Sequence, residues 1–418
     1  MLNTPRSKHY SPPFRYRTGL YNRIPQSQLI NNSNESGNIQ LPANNRIDDT
    51  FTAKTQINLF PNLTLDLDWN ASINTSSTET FTVTPEGEYS SVMSESGGYN
   101  SSVWAFGSGY KEMLSRQIET AVEDINVGSS ILSDSTGNGD GRFVLNRNTL
   151  QEDFRKSYLA ANVNGIDKKG LFVFPRPAWR FNWKKIQDYI PFLGKFMSNA
   201  TLSHSYTGSY RVDWALNTLT GNQPSQKLGF YDIIDSRGEF EPTTIRAERR
   251  FSPLVNLSIT WDSNLRTELG YDRSTISTFS ITSKRGTETL TQGIDFSINY
   301  IFKNIKIRFF PKIKNNIDLS IRGSYKNDTE LSYKLDSDLI TALNGVDEIP
   351  ITDVDDIELS GRETGQTRIN GTFSLGYKVS STISSNFEYT FSKIESNNIP
   401  TRTNHDIRFN IRIAISSR

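Results

Sequence analysis

Four groups of residues in this 418-residue chain could do chemistry. His204 stands between Ser203 and Ser205, the residue types of a hydroxyl nucleophile and its base. Such a pair needs the hydroxyl within hydrogen-bond reach of the imidazole. In an extended segment, neighbouring side chains point to opposite faces, so His204 serves neither hydroxyl and reads as an interfacial or packed histidine. The run Asp134, Ser135, Thr136, Gly137, Asn138, Gly139, Asp140, Gly141 is close to a calcium loop, but Leu145 stands where the bidentate Glu belongs. A turn accounts for it more simply. Asp347, Glu348, Asp353, Asp355, Asp356 and Glu358 could gather divalent cations, although a solvated outer loop explains them as well. Lys306, Arg308, Lys312 and Lys314 alternate with Ile305, Ile307 and Ile313, broken at Phe310-Pro311, and either touch lipid phosphate or cargo or form a wet strand face. No Walker loop, G-x-S-x-G or H-E-x-x-H motif occurs. The expectation is a non-enzyme with no catalytic residue, metal or cofactor.

Composition narrows the class. There is no Cys, which removes disulfides, Cys-ligated zinc, iron–sulfur clusters and thiol catalysis together. The three His make a His-rich metal site implausible. Lys and Arg number 46 against 45 Asp and Glu, so no bulk field favours nucleic acid. Aromatics make up 11% of a chain that is only 35% hydrophobic. Disordered chains lack aromatics, so this one folds, with surfaces apolar on one side and wet on the other. No run of about 18 apolar residues encodes a membrane helix. The first residues carry no apolar stretch of the signal-peptide kind.

The elements are strands. Leu63, Leu65, Leu67, Trp69, Ala71 and Ile73 alternate with Thr64, Asp66, Asp68, Asn70, Ser72 and Asn74, a pattern of period two. Ala200, Leu202, His204, Tyr206, Tyr210, Val212 and Trp214 share another face. Val255 to Trp261 turns at Asp262-Ser263-Asn264 and returns through Leu265, Leu269 and Tyr271, a hairpin with a short loop. Further strands run through Ile294–Phe302, Ile317–Tyr325, Leu331–Leu335, Ile369–Val379, Ile383–Phe391 and Ile407–Ile415. Ten steps of about 3.3 Å, tilted by about 40°, cover about 25 Å, the height of an outer-membrane barrel's apolar band. The pattern predicts an all-β fold of 12–14 antiparallel transmembrane β-barrel strands, part of a much larger barrel, with a partly helical insert. Residues 1–50 read as an irregular polar lead and 51–100 as the first barrel strands. Residues 101–199 read as a non-barrel insert with helices at 109–126 and 154–163, its aromatic 171–183 stretch packed on the rim or in the lumen. Residues 200–418 complete the barrel. Trp69, Trp214, Trp261, Tyr271, Tyr300, Tyr377 and Tyr389 are candidate lipid-facing girdle residues.

Certain residues also carry a resemblance. Asp153-Phe154, Tyr158-Leu159-Ala160-Ala161, Phe174-Pro175-Arg176-Pro177-Ala178-Trp179-Arg180, Leu202-Ser203-His204-Ser205-Tyr206, Phe251-Ser252-Pro253-Leu254 and Asn404-His405-Asp406-Ile407 occur in that order. The set resembles the C-terminal region of the SprA/Sov family, the outer-membrane translocon of the Bacteroidetes type IX secretion system, linked to gliding motility. Pro175, Pro177, Trp179, His204, Tyr206 and Pro253 are the landmarks; Ala178 departs from the family, where an Asn is expected.

The resemblance implies a C-terminal piece of a several-fold longer protein, without its own signal peptide, in the outer membrane. It further implies secreted cargo proteins, an outer-membrane shuttle, a periplasmic plug and the lipid bilayer as partners. A ring of about 36 strands is near 70 Å across, whereas thirteen closed on themselves give only about 26 Å. The expected function is therefore a wall segment of a protein-conducting channel. The alternatives are a small-solute porin or plugged receptor barrel, and a soluble β-rich surface or adhesion protein.

Overall fold

A computed structural model describes residues 39–83, 89–113, 115–117, 147–159, 173–190, 193–216, 240–306, 314–334, 362–378, 383–397 and 399–413. The Asp134–Gly141 run, the 347–358 acids, Arg308 and Lys312 lie outside the described residues, and so do the side chains of Lys306 and Lys314.

Among the described residues twelve strands form one antiparallel sheet, as the alternation predicts. They are β1 (Ile39–Phe60), β2 (Leu63–Val83), β3 (Tyr89–Ser102), β4 (Ala178–Lys184), β5 (Met197–Leu216) and β6 (Phe240–Trp261). β7 (Leu265–Ser280), β8 (Arg285–Lys306), β9 (Lys314–Lys334), β10 (Arg362–Lys378), β11 (Ile383–Ser396) and β12 (Ile399–Ile413) complete it. Each strand pairs with its neighbours in sequence, except that β3 and β4 both lie between β2 and β5. Ala71 of β2 faces Ser101 of β3, while Asp68 faces Ala178 of β4. One column of the wall is thus filled by two half-strands, and the chain leaves the sheet after Ser102 and rejoins it at Ala178.

The strands lean. A continuous row of paired residues runs Leu63, Trp183, Leu202, Leu257, Leu269, Phe296, Gly323, Gly371, Phe391, His405. It begins on the first residue of β2 and ends well inside β12, eight residues short of Ile413. Over this many strands such a stagger corresponds to a tilt of roughly 30°, close to that of barrel walls.

Several strands reach 20–22 residues, about twice the alternating stretches. The ends reach beyond the apolar stretch, where both faces are polar and period two vanishes from the sequence. That corrects the boundary at residue 50: β1 begins at Ile39, paired with Val83, through the polar residues Asn44, Asn45, Arg46, Asp48 and Asp49. The 101–199 boundaries shift as well, because β4 and the start of β5 belong to the sheet.

Within the insert, residues 110–113 and 115–117 are helical, and α1 spans Arg147–Tyr158, starting seven residues before the expected helix. Leu150, Phe154 and Tyr158 recur every fourth residue, and all three are buried. They join Val103, Ala105, Tyr110, Met113 and Val173 against Tyr210, Val212, Ile245, Ala247, Phe279 and Tyr333 of the sheet. These strand residues share one face by register. The insert packs on that face, at the end of the sheet away from the Pro61-Asn62 and 262–264 turns, and not in the hollow of the sheet.

Candidate functional site

The face bearing the insert is the apolar one. Below the insert it presents Leu269 and Tyr271 of β7, Ile294, Phe296, Ile298 and Tyr300 of β8, and Ile317, Leu319 and Ile321 of β9. β10 to β12 continue it with Ile369, Phe373, Leu375, Tyr377, Phe387, Tyr389, Ile407, Phe409 and Ile411. Many of these are exposed, Leu269 by 54% and Ile407 by 68%. A contiguous apolar surface of this kind meets something other than water.

The opposite face is polar and hollow. A cavity of about 830 Å³ opens on it, lined by Asn256, Arg266, Glu268, Asp272, Asp295, Ser297, Asn299, Arg322, Ser324 and Asn370, among others. Its polar groups bond laterally. Asn256 Nδ2 donates to Glu268 Oε1 at 3.2 Å, Ser320 Oγ to Asn299 Oδ1 at 2.8 Å, and Ser374 Oγ to Asn386 Oδ1 at 3.1 Å. Farther along, Thr291 Oγ1 donates to Asp328 Oδ1 at 2.7 Å, and Lys326 pairs with Asp328 at 3.4 Å. Charges of both signs alternate along this face, so it stays hydrated without forming a single-sign attractor.

The landmark residues converge where the column is broken. Ser102 Oγ accepts from Asn70 N at 3.0 Å, its carbonyl accepts from Arg176 N at 2.7 Å, and Val103 N donates to the Gly208 carbonyl at 3.0 Å. Trp104 Nε1 donates to the Pro177 carbonyl at 2.9 Å. Trp179 stacks on Tyr206 at 4.3 Å between centroids; Phe106 lies 4.9 Å from Tyr206 and 6.2 Å from Trp179. Phe251 and His204 complete the cluster. The Tyr206 hydroxyl accepts from Ala105 N at 2.7 Å and donates to the Val103 carbonyl at 3.2 Å, tying the departing chain to β5. Pro175 is buried nearby. Pro253 sits in the β6 irregularity between Phe251 and Val255, a place for a residue without an N–H, and the Ser252–Pro253 peptide is cis.

His204 and its serines do not form a reacting pair. His204 Nδ1 lies 2.6 Å from the Leu254 carbonyl, so this nitrogen carries the proton. Ser205 Oγ donates to the Ser252 carbonyl from the other side of the strand. Both groups hold the backbone of the β6 irregularity.

A second junction anchors α1. Glu288 accepts from Tyr110 N at 3.4 Å and from the Tyr158 hydroxyl at 3.1 Å, and the Tyr110 ring stacks on Tyr333 at 3.6 Å. The Tyr333 ring covers Gly286 and leaves no room for a Cβ there. Burial, with Tyr333 and Glu288 adding to it, holds the Tyr158 phenol well above the ordinary tyrosine range. Burial also raises the Asp153 carboxyl, opposed by a hydrogen bond from Gln117 and by Lys156 and Arg116.

Of the girdle candidates, Trp69, Trp261, Tyr271, Tyr300, Tyr377 and Tyr389 are half-buried on the apolar face. Trp261 Nε1 donates to Thr267 Oγ1 at 3.0 Å, and Tyr389 OH lies 2.8 Å from His405 Nδ1. Trp214 is different: only 2% exposed, its ring fills the space above Gly97, where a Cβ would lie 2.6 Å from it. It is a packing residue and not a girdle residue. Sequence reasoning missed β4, although Trp179, Phe181 and Trp183 alternate with Arg180, Asn182 and Lys184. Tyr333 reads in the sequence only as a strand residue between Leu331 and Leu335, and its meeting with Tyr110, Tyr158 and Glu288 has no local signal, because these contacts span 130 residues or more.

No protein-family model matches the chain, and no curated protein matches it. Among solved structures it is similar to OmpTdeltaL8, a loop L8 deletion mutant of the OmpT outer membrane protein of Vibrio cholerae. That match has 8% identity and a TM-score of 0.21, and covers 90% of this chain and 99% of the other. At this score the likeness carries no argument about fold or function.

Proposed function

We propose that the chain forms part of the wall of an outer-membrane protein-conducting barrel, the role implied by its resemblance to the SprA/Sov translocon family. The observation that carries the reading is the two-sidedness of the sheet. Its apolar face suits lipid, and its hollow face, with Arg266, Glu268, Asp295 and Arg322, suits a wet passage. Ser, Thr and Asn between these charges keep the surface hydrated, so that a passing protein meets no apolar strip to adhere to. Among the described residues, β1 and β12 each pair on one side only. A wall section that continues into further strands has such edges, whereas a small closed pore does not. Secreted cargo, a shuttle and a plug are the partners this reading brings with it.

The test uses photo-crosslinking residues placed singly at Asn299 and Arg322, on the hollow face, and at Leu319, on the apolar face, in secreting cells. Hollow-face positions are expected to capture secreted cargo and Leu319 to capture lipid or nothing. Equal capture from both faces, or none from the hollow one, overturns the proposal.

A further inference from the structure

Most connections at one end of the sheet are terse. The β1–β2 turn is Pro61-Asn62 and the β6–β7 turn is Asp262, Ser263 and Asn264. The link from β4 to β5 at the same end is longer and differently composed. It contains two short 3-10 turns, Ile186–Asp188 and Leu193–Lys195. Tyr189 and Ile190 are 44% and 42% exposed, and Phe196 is 54% exposed. The segment is nevertheless tied down. Tyr189 OH donates to the Pro61 carbonyl at 2.6 Å, and its ring lies 5.5 Å from Trp183, on the apolar face. Gln187, buried, accepts from Ala200 N at 2.9 Å and donates to the Ser198 carbonyl at 3.2 Å. A held loop that keeps Tyr, Ile and Phe in the open is built to present them.

Its charge is equally one-sided. Residues 184–196 hold Lys184, Lys185 and Lys195 against the single acid Asp188. Along the same rim Lys303, Lys378 and Arg412 are also exposed, against the exposed acid Asp262 of the 262–264 turn. Apolar side chains continuous with a lipid-facing wall, flanked by cations, are the signature of a segment lying in the headgroup layer.

We infer that the β4–β5 link is an interfacial anchor: Tyr189, Ile190 and Phe196 enter the phospholipid layer at the short-turn rim, and Lys185 and Lys195 bind anionic phosphate headgroups there. The inference rests on the membrane-wall reading and adds to it the leaflet contact and its lipid chemistry. Short turns face the periplasm in barrels of this kind, so the leaflet is the periplasmic one.

The absence of Cys makes the test clean, because each introduced thiol is unique. Ile190→Cys, Phe196→Cys, Leu269→Cys and Ser263→Cys are labelled singly with a nitroxide in the full chain. The chain is reconstituted into vesicles of phosphatidylcholine, with or without phosphatidylglycerol. Relaxation by oxygen is expected to exceed relaxation by a water-soluble nickel chelate at Ile190, Phe196 and Leu269, with the order reversed at Ser263. Adding Lys185→Glu and Lys195→Glu is expected to move the Ile190 and Phe196 labels toward water in the anionic vesicles and leave them in place in neutral ones. Labels at Ile190 and Phe196 as wet as Ser263, with Leu269 still in lipid, overturn the anchor alone. A wet Leu269 overturns the membrane-wall reading with it. An unchanged depth after the charge reversal in anionic vesicles overturns the headgroup contact.

Discussion

The buried Tyr206 hydroxyl holds the segment that leaves β3 at two points, accepting from Ala105 N–H and donating to the Val103 carbonyl. Tyr206→Phe leaves Ala105 N–H without its acceptor, and a buried unsatisfied donor costs about 1–3 kcal/mol. The expected outcome is faster proteolysis of the insert with the strands intact, read by limited digestion. Asp153 acts through charge. Burial raises its carboxyl in the folded chain, so the protonated form is favoured there. The associated stability is present below the ordinary aspartate range and is lost as pH rises through the raised value. Asp153→Asn keeps an acceptor for Gln117 and removes the titration. Protection of the insert should therefore be flatter with pH in this variant, and greater than the parent's at neutral pH. Single landmarks such as Trp179 and His204 stand out in the sequence, because Trp and His are rare here. Their convergence does not, since the order of residues along a chain says nothing of distances across a sheet.

Within the alternating stretches of β7 to β12 the apolar–polar pattern alone assigns the side chains to their faces, and the register agrees. The polar ends of β1 and the half-strand β4 escaped, the first for want of alternation and the second through its place inside an apparent insert. β9 offers the sharpest check, because Leu319 and Ser320 are neighbours on opposite faces. On the membrane-wall reading, Leu319→Arg places a guanidinium in lipid at a cost of about 2–4 kcal/mol near the midplane, while a substitution on the hollow face is tolerated. Urea unfolding of the chain in vesicles is expected to show that loss for Leu319→Arg and little change for Ser320→Arg. Similar midpoints for the two variants would contradict the assignment of faces.

At the scale of the molecule, the tilt and two-sidedness describe a curved wall whose ends do not meet among the described residues. A thiol pair makes this measurable. Ile407→Cys with Tyr389→Cys, opposite each other on β11 and β12, is expected to react with a short bis-maleimide, whereas Ile407→Cys with Ala53→Cys on β1 is not. Ready linkage of β1 to β12 would identify a small closed pore instead. The divided column carries a last consequence, for biogenesis. A wall laid down hairpin by hairpin in sequence order has a half-empty slot after β3, and β5 finds its mates on both sides only once β4 has come back into line. The excursion that begins at Val103 must therefore bring Ala178–Lys184 back beside β2 before the seam can close. Damage to its core, at Phe154 or Leu150, should be felt as a shortage of assembled protein and not as a defective passage.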